Sequence, residues 1–295
     1  MQYAQLGTSD LYVSRIGFGC MSLHDDKNIS LIENAIEEGI NLFDTSDLYD
    51  KGLNESLVGK AIKNKREKII LSTKVGNIWR PDGSGWDWKP SKKYILKAVD
   101  ESLSRLSTNY IDLYLLHGGT IEDPIDEIIE AFEKLKTSGK IRYYGLSSIR
   151  PNVVREYVKR SNITSLMTQY SFLDRRPEES IFPLVEANTI GVLARGSVAQ
   201  GLLIDKPAKP YLDYSEHEVA KIQQKILSQN SDKTPVEKAL NFVLQNTAVT
   251  SAVAGIRTQY QLKDLISIFN KPVFTVEELQ ELTDIVPLNQ YKEHR

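Results

Sequence analysis

Four residues of different chemistry each follow closely on an apolar run. Asp44 and then Tyr49 follow residues 40–43, Lys74 follows residues 68–73, and His117 follows residues 111–116. A carboxylate, a phenol, an ammonium and an imidazole gathered in one cleft could deliver a proton to a carbonyl oxygen. That task needs a donor that stays protonated near neutrality yet releases its proton readily. A free phenol, with a pKa of about 10, is somewhat too weak an acid. An adjacent Lys74 ammonium would stabilise phenolate, Asp44 would hold Lys74 charged and oriented, and His117 would hydrogen-bond the carbonyl oxygen and position it. Taken singly each has an ordinary role: a turn or helix cap for Asp44, a partly buried aromatic for Tyr49, a solvated charge for Lys74, a satisfied backbone carbonyl for His117. The set gains meaning if the fold brings the strand ends together.

The chain alternates strand-like runs with amphipathic helical segments. After a predicted hairpin turn at Gly7 and Ser9-Asp10, strands are expected at 16–20, 40–43, 68–73, 111–116, 141–146, 166–170, 191–194 and 250–254. Helices are expected at 28–38, 56–65, 94–106, 125–137, 152–159, 178–187, 215–229 with 236–245, and 259–269. That makes eight β-then-α units. Strands such as 111–116 are almost continuously apolar, as in a parallel sheet covered by helices. The pattern predicts one domain over 1–295, a (β/α)8 TIM barrel with an N-terminal β-hairpin and long loops at its C-terminal face, where catalytic groups of such barrels gather. A doubly wound open sheet is the alternative. Against it, no strand-turn-helix unit carries a G-x-G-x-x-G turn, and Gly17-Phe18-Gly19 lacks the third glycine. The loop 75–90, with Trp79, Trp86 and Trp88, and the loop 199–214 are long for such connections. The tryptophans, with Met21, Leu23 and Leu48, are read as a substrate wall or as packing on neighbouring helices.

Composition removes several function classes. At 41% hydrophobic and 26% charged residues, the 295-residue chain is ordinary for a globular protein. A net charge of -2 gives no basis for a nucleic-acid or acidic-membrane surface. No stretch resembles a membrane span or a secretory signal. Cys20 is the single cysteine, which excludes an internal disulfide and a cysteine-based zinc cluster; a small buried core residue fits it better than a cleft-lining one. His24, His217 and His294 have no metal-ligand spacing, so no metal is expected. A cytoplasmic enzyme is the default expectation; no oligomeric state is assigned.

On these residues the chain resembles an aldo-keto reductase over essentially its whole length. The resemblance runs through Gln2-Tyr3 to Leu6-Gly7, Val13 to Gly19, Asp44-Thr45-Ser46-x-x-Tyr49, Lys74, Leu115-Leu116-His117 and Gly145-Leu146-Ser147. It continues through Ala199-Gln200-Gly201-Leu202-Leu203 and Gly255-Ile256-Arg257 to Gln261. It implies a (β/α)8 barrel and NADPH-dependent reduction of an aldehyde or ketone, with NADP+ as product. It also implies Tyr49 as acid, with Lys74, Asp44 and His117 in the supporting roles above.

Without a glycine-rich turn, the cofactor must be held by loops, helix N-termini and cations near the last strands. The family pattern assigns Arg257 and Gln261 to the adenosine 2'-phosphate and Asp264 to the adenine. Gly19, Cys20, Met21 and Asp44 fall on the cleft side of the first strands, Gly255 and Ile256 beside the last. Gly196, Ser197, Val198, Gln200 and Gly201 would offer amides and a hydroxyl to the pyrophosphate. The nicotinamide end departs from the pattern: Ser147-Ser148 stands for the usual Ser-Asn, Met167 for a glutamine and Arg195 for a stacking tyrosine, while Leu265 replaces an asparagine after the acidic residue. Gln169 would point the same way as Met167 in a regular strand. Arg195 is read as laying its guanidinium near the nicotinamide, or moving to the pyrophosphate, or making a structural ion pair. Two other classes remain open: an NADPH-binding sensing or partner-binding subunit with little turnover, and a Schiff-base aldolase using Lys74.

Overall fold

The structure is a computed structural model describing residues 1–228, 233–270, 274–286 and 288–295. Eight parallel strands close into a barrel: β3 (Ile16–Gly19), β4 (Leu42–Asp44), β5 (Ile70–Val75), β8 (Ile111–Leu116), β9 (Ile141–Ser147), β10 (Ser165–Gln169), β11 (Gly191–Arg195) and β12 (Val249–Gly255), with β12 paired back onto β3. Around them lie α1 (Ile29–Glu37), α2 (Leu53–Ile62), α3 (Lys92–Leu106), α4 (Ile125–Thr137), α5 (Pro151–Arg160), α6 (Pro177–Ala187), α7 (Glu216–Ser228), α8 (Pro235–Gln245) and α9 (Gln259–Ser267). The open-sheet alternative is excluded by the closure. Residue 229, the expected end of the seventh helix, lies outside the described residues.

The alternation of side chains along each strand sorts the core into two. Phe43, Leu71, Tyr114, Leu116, Leu166 and Val192 pack outward with the helices in one large cluster. Their neighbours Leu42, Ile70, Leu113, Met167, Leu193 and Val253 form a separate cluster inside the barrel. The antiparallel hairpin β1 (Tyr3–Gln5) and β2 (Tyr12–Ser14) adds Leu6, Leu11 and Val13 to that inner cluster, so it stoppers the N-terminal end. The same parity, carried two to four residues along, places Gly19, Asp44, Lys74, Ser147, Gln169, Arg195 and Gly255 at inward positions near the C-terminal ends. An apolar plug below and a polar layer above follow from one alternation rule.

Two features went unread in the sequence. The loop 75–90 folds into its own hairpin, β6 (Asn77–Trp79) with β7 (Trp86–Trp88). A tenth helix, α10 (Val276–Ile285), opens on a capping box in which Thr275 accepts from the Glu278 N–H; the Thr-x-x-Glu spacing was its signal. Asp44 and Lys74 also lie within their strands rather than after them, because a polar residue at an inward position keeps its backbone in the ladder.

Helix α2 packs against the end of α3 at Gly59, where an added Cβ would lie 2.7 Å from the Leu106 backbone carbonyl. Helix propensity alone favours alanine there by about 1 kcal/mol, but backbone cannot yield as a side chain does. We predict that Gly59→Ala lowers the melting temperature by several degrees; an increase would show that the two helices separate easily.

Candidate active site

Lys74 is the centre of the polar layer. Its side chain is 1% exposed, and the ammonium donates to Asp44 Oδ2 at 2.6 Å, to the Thr45 carbonyl at 2.7 Å and to Tyr49 Oη at 3.2 Å. All three ammonium hydrogens are therefore committed. Asp44 is fixed in turn by the Ser72 hydroxyl, which donates to Oδ1 at 3.0 Å. Burial pushes the Lys74 ammonium down, and the Asp44 carboxylate with the Tyr49 oxygen more than reverses this, leaving it above the ordinary lysine range. Since Tyr49 Oη accepts from Lys74, the phenol's own hydrogen points elsewhere and finds no acceptor among the described residues.

Tyr49 sits on a short loop that three anchors hold. Asn54, buried at the start of α2, donates to the carbonyls of Cys20 and Leu23 and accepts from Thr45 Oγ1 at 2.6 Å. Glu55 accepts from Thr73 Oγ1 and Arg105. Trp79 Nε1 donates to the Leu48 carbonyl at 3.1 Å, and Lys51 lies over the Trp79 ring. The chain leaves Tyr49 through Asp50, Lys51 and Gly52 at φ 49°, 53° and 86°. Two non-glycine residues in left-handed conformation carry a strain of order 1–3 kcal/mol each, which the anchors overcome.

His117 stands edge-on to Tyr49, with ring centroids 6.0 Å apart. Burial and then the charges of Lys74 and Arg195 lower its pKa to about 3, so the ring is neutral near neutrality. Its Nδ1 lies 3.2 Å from Ser46 Oγ, and Ser46 in turn donates to Asp47 Oδ1 at 3.2 Å. Asp47 is 9% exposed; burial and then the Glu55 carboxylate raise it to about 7. The sequence reading assigned no role to Ser46 or Asp47. Their signal lay within Asp44-Thr45-Ser46-Asp47, but the partner is 71 residues away.

The sequence-selected cofactor residues divide. Ser147, Arg195, Gly196, Ser197 and Gly255 lie at or just beyond the strand ends bordering the polar layer. The Ser197 hydroxyl is buried without a partner among the described residues, and the Gly255 Cβ position opens onto free space. Arg195 Nη1 donates to Gln169 Oε1 at 3.2 Å and Gln169 Nε2 donates to Tyr211 Oη at 2.9 Å. Among the described residues Arg195 has no acidic partner, which removes the ion-pair reading. Ser148 Oγ accepts from the Arg150 N–H, and Lys209 holds the Gln200 side chain. Arg257 is exposed at the entry to α9, and its N–H is accepted by Gln261 Oε1 at 2.9 Å. Asp264 is half-buried one turn further on, and Met21 is exposed after β3.

Three side chains are corrected. Met167 is 1% exposed and belongs to the apolar plug, so the inward residue that reaches the polar layer on β10 is Gln169. Cys20 is fully buried in the outer core, and burial pushes its thiol well up; only its backbone borders the site. The Ile256 side chain is likewise wholly buried; Leu265, already read as a departure from the family's asparagine, packs into the core. Of the loop tryptophans, Trp88 fills the space left by Gly76 and Gly118 and donates to Asp123, a packing role. Trp86 alone is largely exposed, at 49%.

The Aldo/keto reductase family model matches residues 15–287. The chain belongs to the aldo-keto reductase family. It is 51% identical, over the full length of both chains, to the "Uncharacterized oxidoreductase YqkF" of Bacillus subtilis (strain 168). It is 28% identical to the "NADH-specific methylglyoxal reductase" of Escherichia coli (strain K12), covering 92% of this chain and 94% of that one. The solved structure of aldo-keto reductase AKR11C1 from Bacillus halodurans in its holo form superposes with a TM-score of 0.95 at 50% identity, over 100% of this chain and 99% of that one. As an aldo-keto reductase the protein is an NAD(P)H-dependent carbonyl oxidoreductase acting on small molecules. Among the described residues no helix is long and apolar enough to cross a membrane.

The buried pair gives a stability test. Asp44→Ala leaves the Lys74 ammonium buried without its counter-charge, a change that typically costs about 3–5 kcal/mol. Urea unfolding should register a loss of that order; a loss near zero would mean that water reaches Lys74 freely.

Proposed function

We propose that the enzyme reduces an aldehyde or ketone with NADPH, Tyr49 being the proton donor. The observation that carries this reading is the commitment of the Lys74 hydrogens: the third goes to Tyr49 Oη, so the phenol hydrogen is left for a substrate oxygen. When bound, the cofactor supplies a hydride to the carbonyl carbon. Tyr49 gives its hydrogen to the carbonyl oxygen, and the negative charge left on the phenol oxygen faces an ammonium 3.2 Å away. Asp44 keeps that ammonium charged throughout, and solvent restores the phenol. His117, neutral, orients the carbonyl oxygen toward Tyr49. The Schiff-base reading needs a free amine; an ammonium with three hydrogen bonds and a raised pKa disfavours it.

The cofactor fits the residues present. Ser147 and Gln169 would meet the nicotinamide amide, with Ser148, Gly19, Met21 and the Cys20 backbone as its borders. Gly196, Ser197, Val198, Gln200 and Gly201 would hold the pyrophosphate, the orphaned Ser197 hydroxyl being the most direct support. Arg257, whose guanidinium lacks a partner among the described residues, would take the 2'-phosphate beside Gln261, with Gly255 and Ile256 bringing the chain to it and Asp264 at the adenine. Arg195 would lie beside the nicotinamide ring, where its charge disfavours the positively charged oxidised ring.

Tyr49→Phe should lower the rate of carbonyl reduction by about a thousandfold, within the usual contribution of a general acid, about 10²–10⁴. Fluorescence titration should find its NADPH affinity within about twofold of the parent, consistent with a group acting only on the reacting oxygen. A variant that keeps its rate would remove Tyr49 from the acid role. A second prediction concerns Arg195: the parent should bind NADPH more tightly than NADP+, and Arg195→Tyr should bring the two affinities together. Equal affinities in the parent would refute the placement of the guanidinium.

A further inference from the structure

Beside the Lys74 centre runs a second chain of groups, Asp47, Ser46 and His117, of which the proposed reduction uses only the imidazole. We propose that Asp47, acting through Ser46, sets which nitrogen of His117 carries the ring hydrogen, and thereby whether the imidazole can donate to the substrate oxygen. The inference rests on the reading of this site as a carbonyl reductase and makes Asp47 a positioning residue within it.

Hydrogen counting carries the argument. Ser46 is fully buried, and its hydroxyl has one hydrogen and two lone pairs. The Leu48 N–H, 3.2 Å away, occupies one lone pair. One hydrogen and one lone pair remain for two neighbours, Asp47 Oδ1 and His117 Nδ1, each at 3.2 Å. When Asp47 is ionised, its carboxylate is the stronger acceptor and draws the Ser46 hydrogen. His117 then points an Nδ1–H at Ser46 and leaves Nε2 bare. A bare Nε2 sets its lone pair against a carbonyl oxygen and cannot stabilise the charge that develops there. When Asp47 carries a proton on Oδ1, that proton goes to Ser46, the Ser46 hydrogen turns to Nδ1, and Nε2–H becomes a donor. Between the two states the site takes up one proton, and the ring stays neutral in both.

The surroundings place this change in a useful range. Facing Asp47 are Glu55 from α2, Tyr94 and Arg105 from α3, Tyr114 from β8 and His117 just beyond it, while its own N–H meets the Lys74 carbonyl of β5. Arg105 is held by Glu55, so its charge is largely spent there. Tyr94 lies 3.2 Å from Asp47 Oδ2, but its single hydrogen is also sought by the Asn77 carbonyl at 3.0 Å, which has no hydrogen of its own. The carboxylate is thus under-supplied with donors, and burial with the nearby Glu55 charge brings its titration to about 7. A protonated Asp47 could instead turn its hydrogen to Tyr94. A carbonyl oxygen at Nε2 selects the Oδ1 arrangement, because the other opposes two lone pairs.

The test is the single-turnover rate at which enzyme preloaded with NADPH reduces a nitrobenzaldehyde, measured from about pH 6 to about pH 8.5. The parent enzyme should slow as the pH rises through Asp47's titration, approaching tenfold per unit on the alkaline side. In Asp47→Asn, whose amide donates at every pH, the ratio of rates across the window should fall within about twofold of one, because the titrating group is gone. Ser46→Ala cuts the link while leaving Asp47 to titrate, and should flatten the profile at a lower rate. An alkaline decline that survives in either variant with its midpoint unchanged overturns the proposal, and the serine variant decides if the asparagine variant does not fold. Loss of Tyr49-dependent turnover at every pH in the parent would instead overturn the reductase reading itself.

Discussion

An ammonium buried in the mouth of a barrel governs the rest of this structure. Taking Lys74 out of water is unfavourable by several kcal/mol unless its charge and all three hydrogens are answered. Here they are, by Asp44, the Thr45 carbonyl and Tyr49. Each answer constrains an element. Asp44 must stand at an inward position of β4, level with Ser72 on β5. The Thr45 carbonyl must turn toward β5, which the Asn54 knot and the Thr45 N–H to Ser72 carbonyl bond secure. The Tyr49 loop must double back over the strand ends, at the expense of two residues with positive φ. The phenol is the weakest of the three acceptors and the one that faces the cleft, so the requirement of the buried cation and the requirement of proton donation are met by one arrangement.

The barrel makes this affordable by separating dry packing from polar chemistry along its axis. Met167, Leu113, Leu193 and Val253 fill the interior below the site, and the hairpin residues Leu6, Leu11 and Val13 close the far end. The polar layer is therefore at the upper face, where burial, with the charges of Lys74 and Arg195, keeps His117 neutral. Two cations and a neutral imidazole around one cleft suit a reaction in which a carbonyl oxygen gains negative charge. They also favour an anionic cofactor.

Much of this was legible in the sequence. Eight apolar runs with intervening amphipathic segments sufficed for the barrel, and the four chemically distinct residues at run ends sufficed for the centre. The run criterion stopped one or two residues short at β4 and β5, since it ends before the charged side chains of Asp44 and Lys74 although the ladder continues through them. Parity was the sharper tool: it put Gln169 on the same face as Met167, and the structure separates them by depth, one in the plug and one in the cleft. What stayed illegible depended on contacts between distant segments. Ser46 and Asp47 look like turn residues until His117 is seen beside them, and the tryptophan-rich loop stays open between substrate wall and packing until Trp88 is found filling the space over two glycines.

What the buried Lys74 centre does is decided by whether the protein, loaded with NADPH, passes its reducing equivalents to a carbonyl. Stopped-flow mixing of the NADPH complex with a nitrobenzaldehyde, following the loss of cofactor absorbance, measures this in one turnover. A proton-donating Tyr49 beside Lys74 predicts loss of one equivalent of bound NADPH with formation of one equivalent of alcohol. Tight binding of NADPH with no absorbance change would contradict it and would assign the buried Lys74 centre to cofactor binding alone.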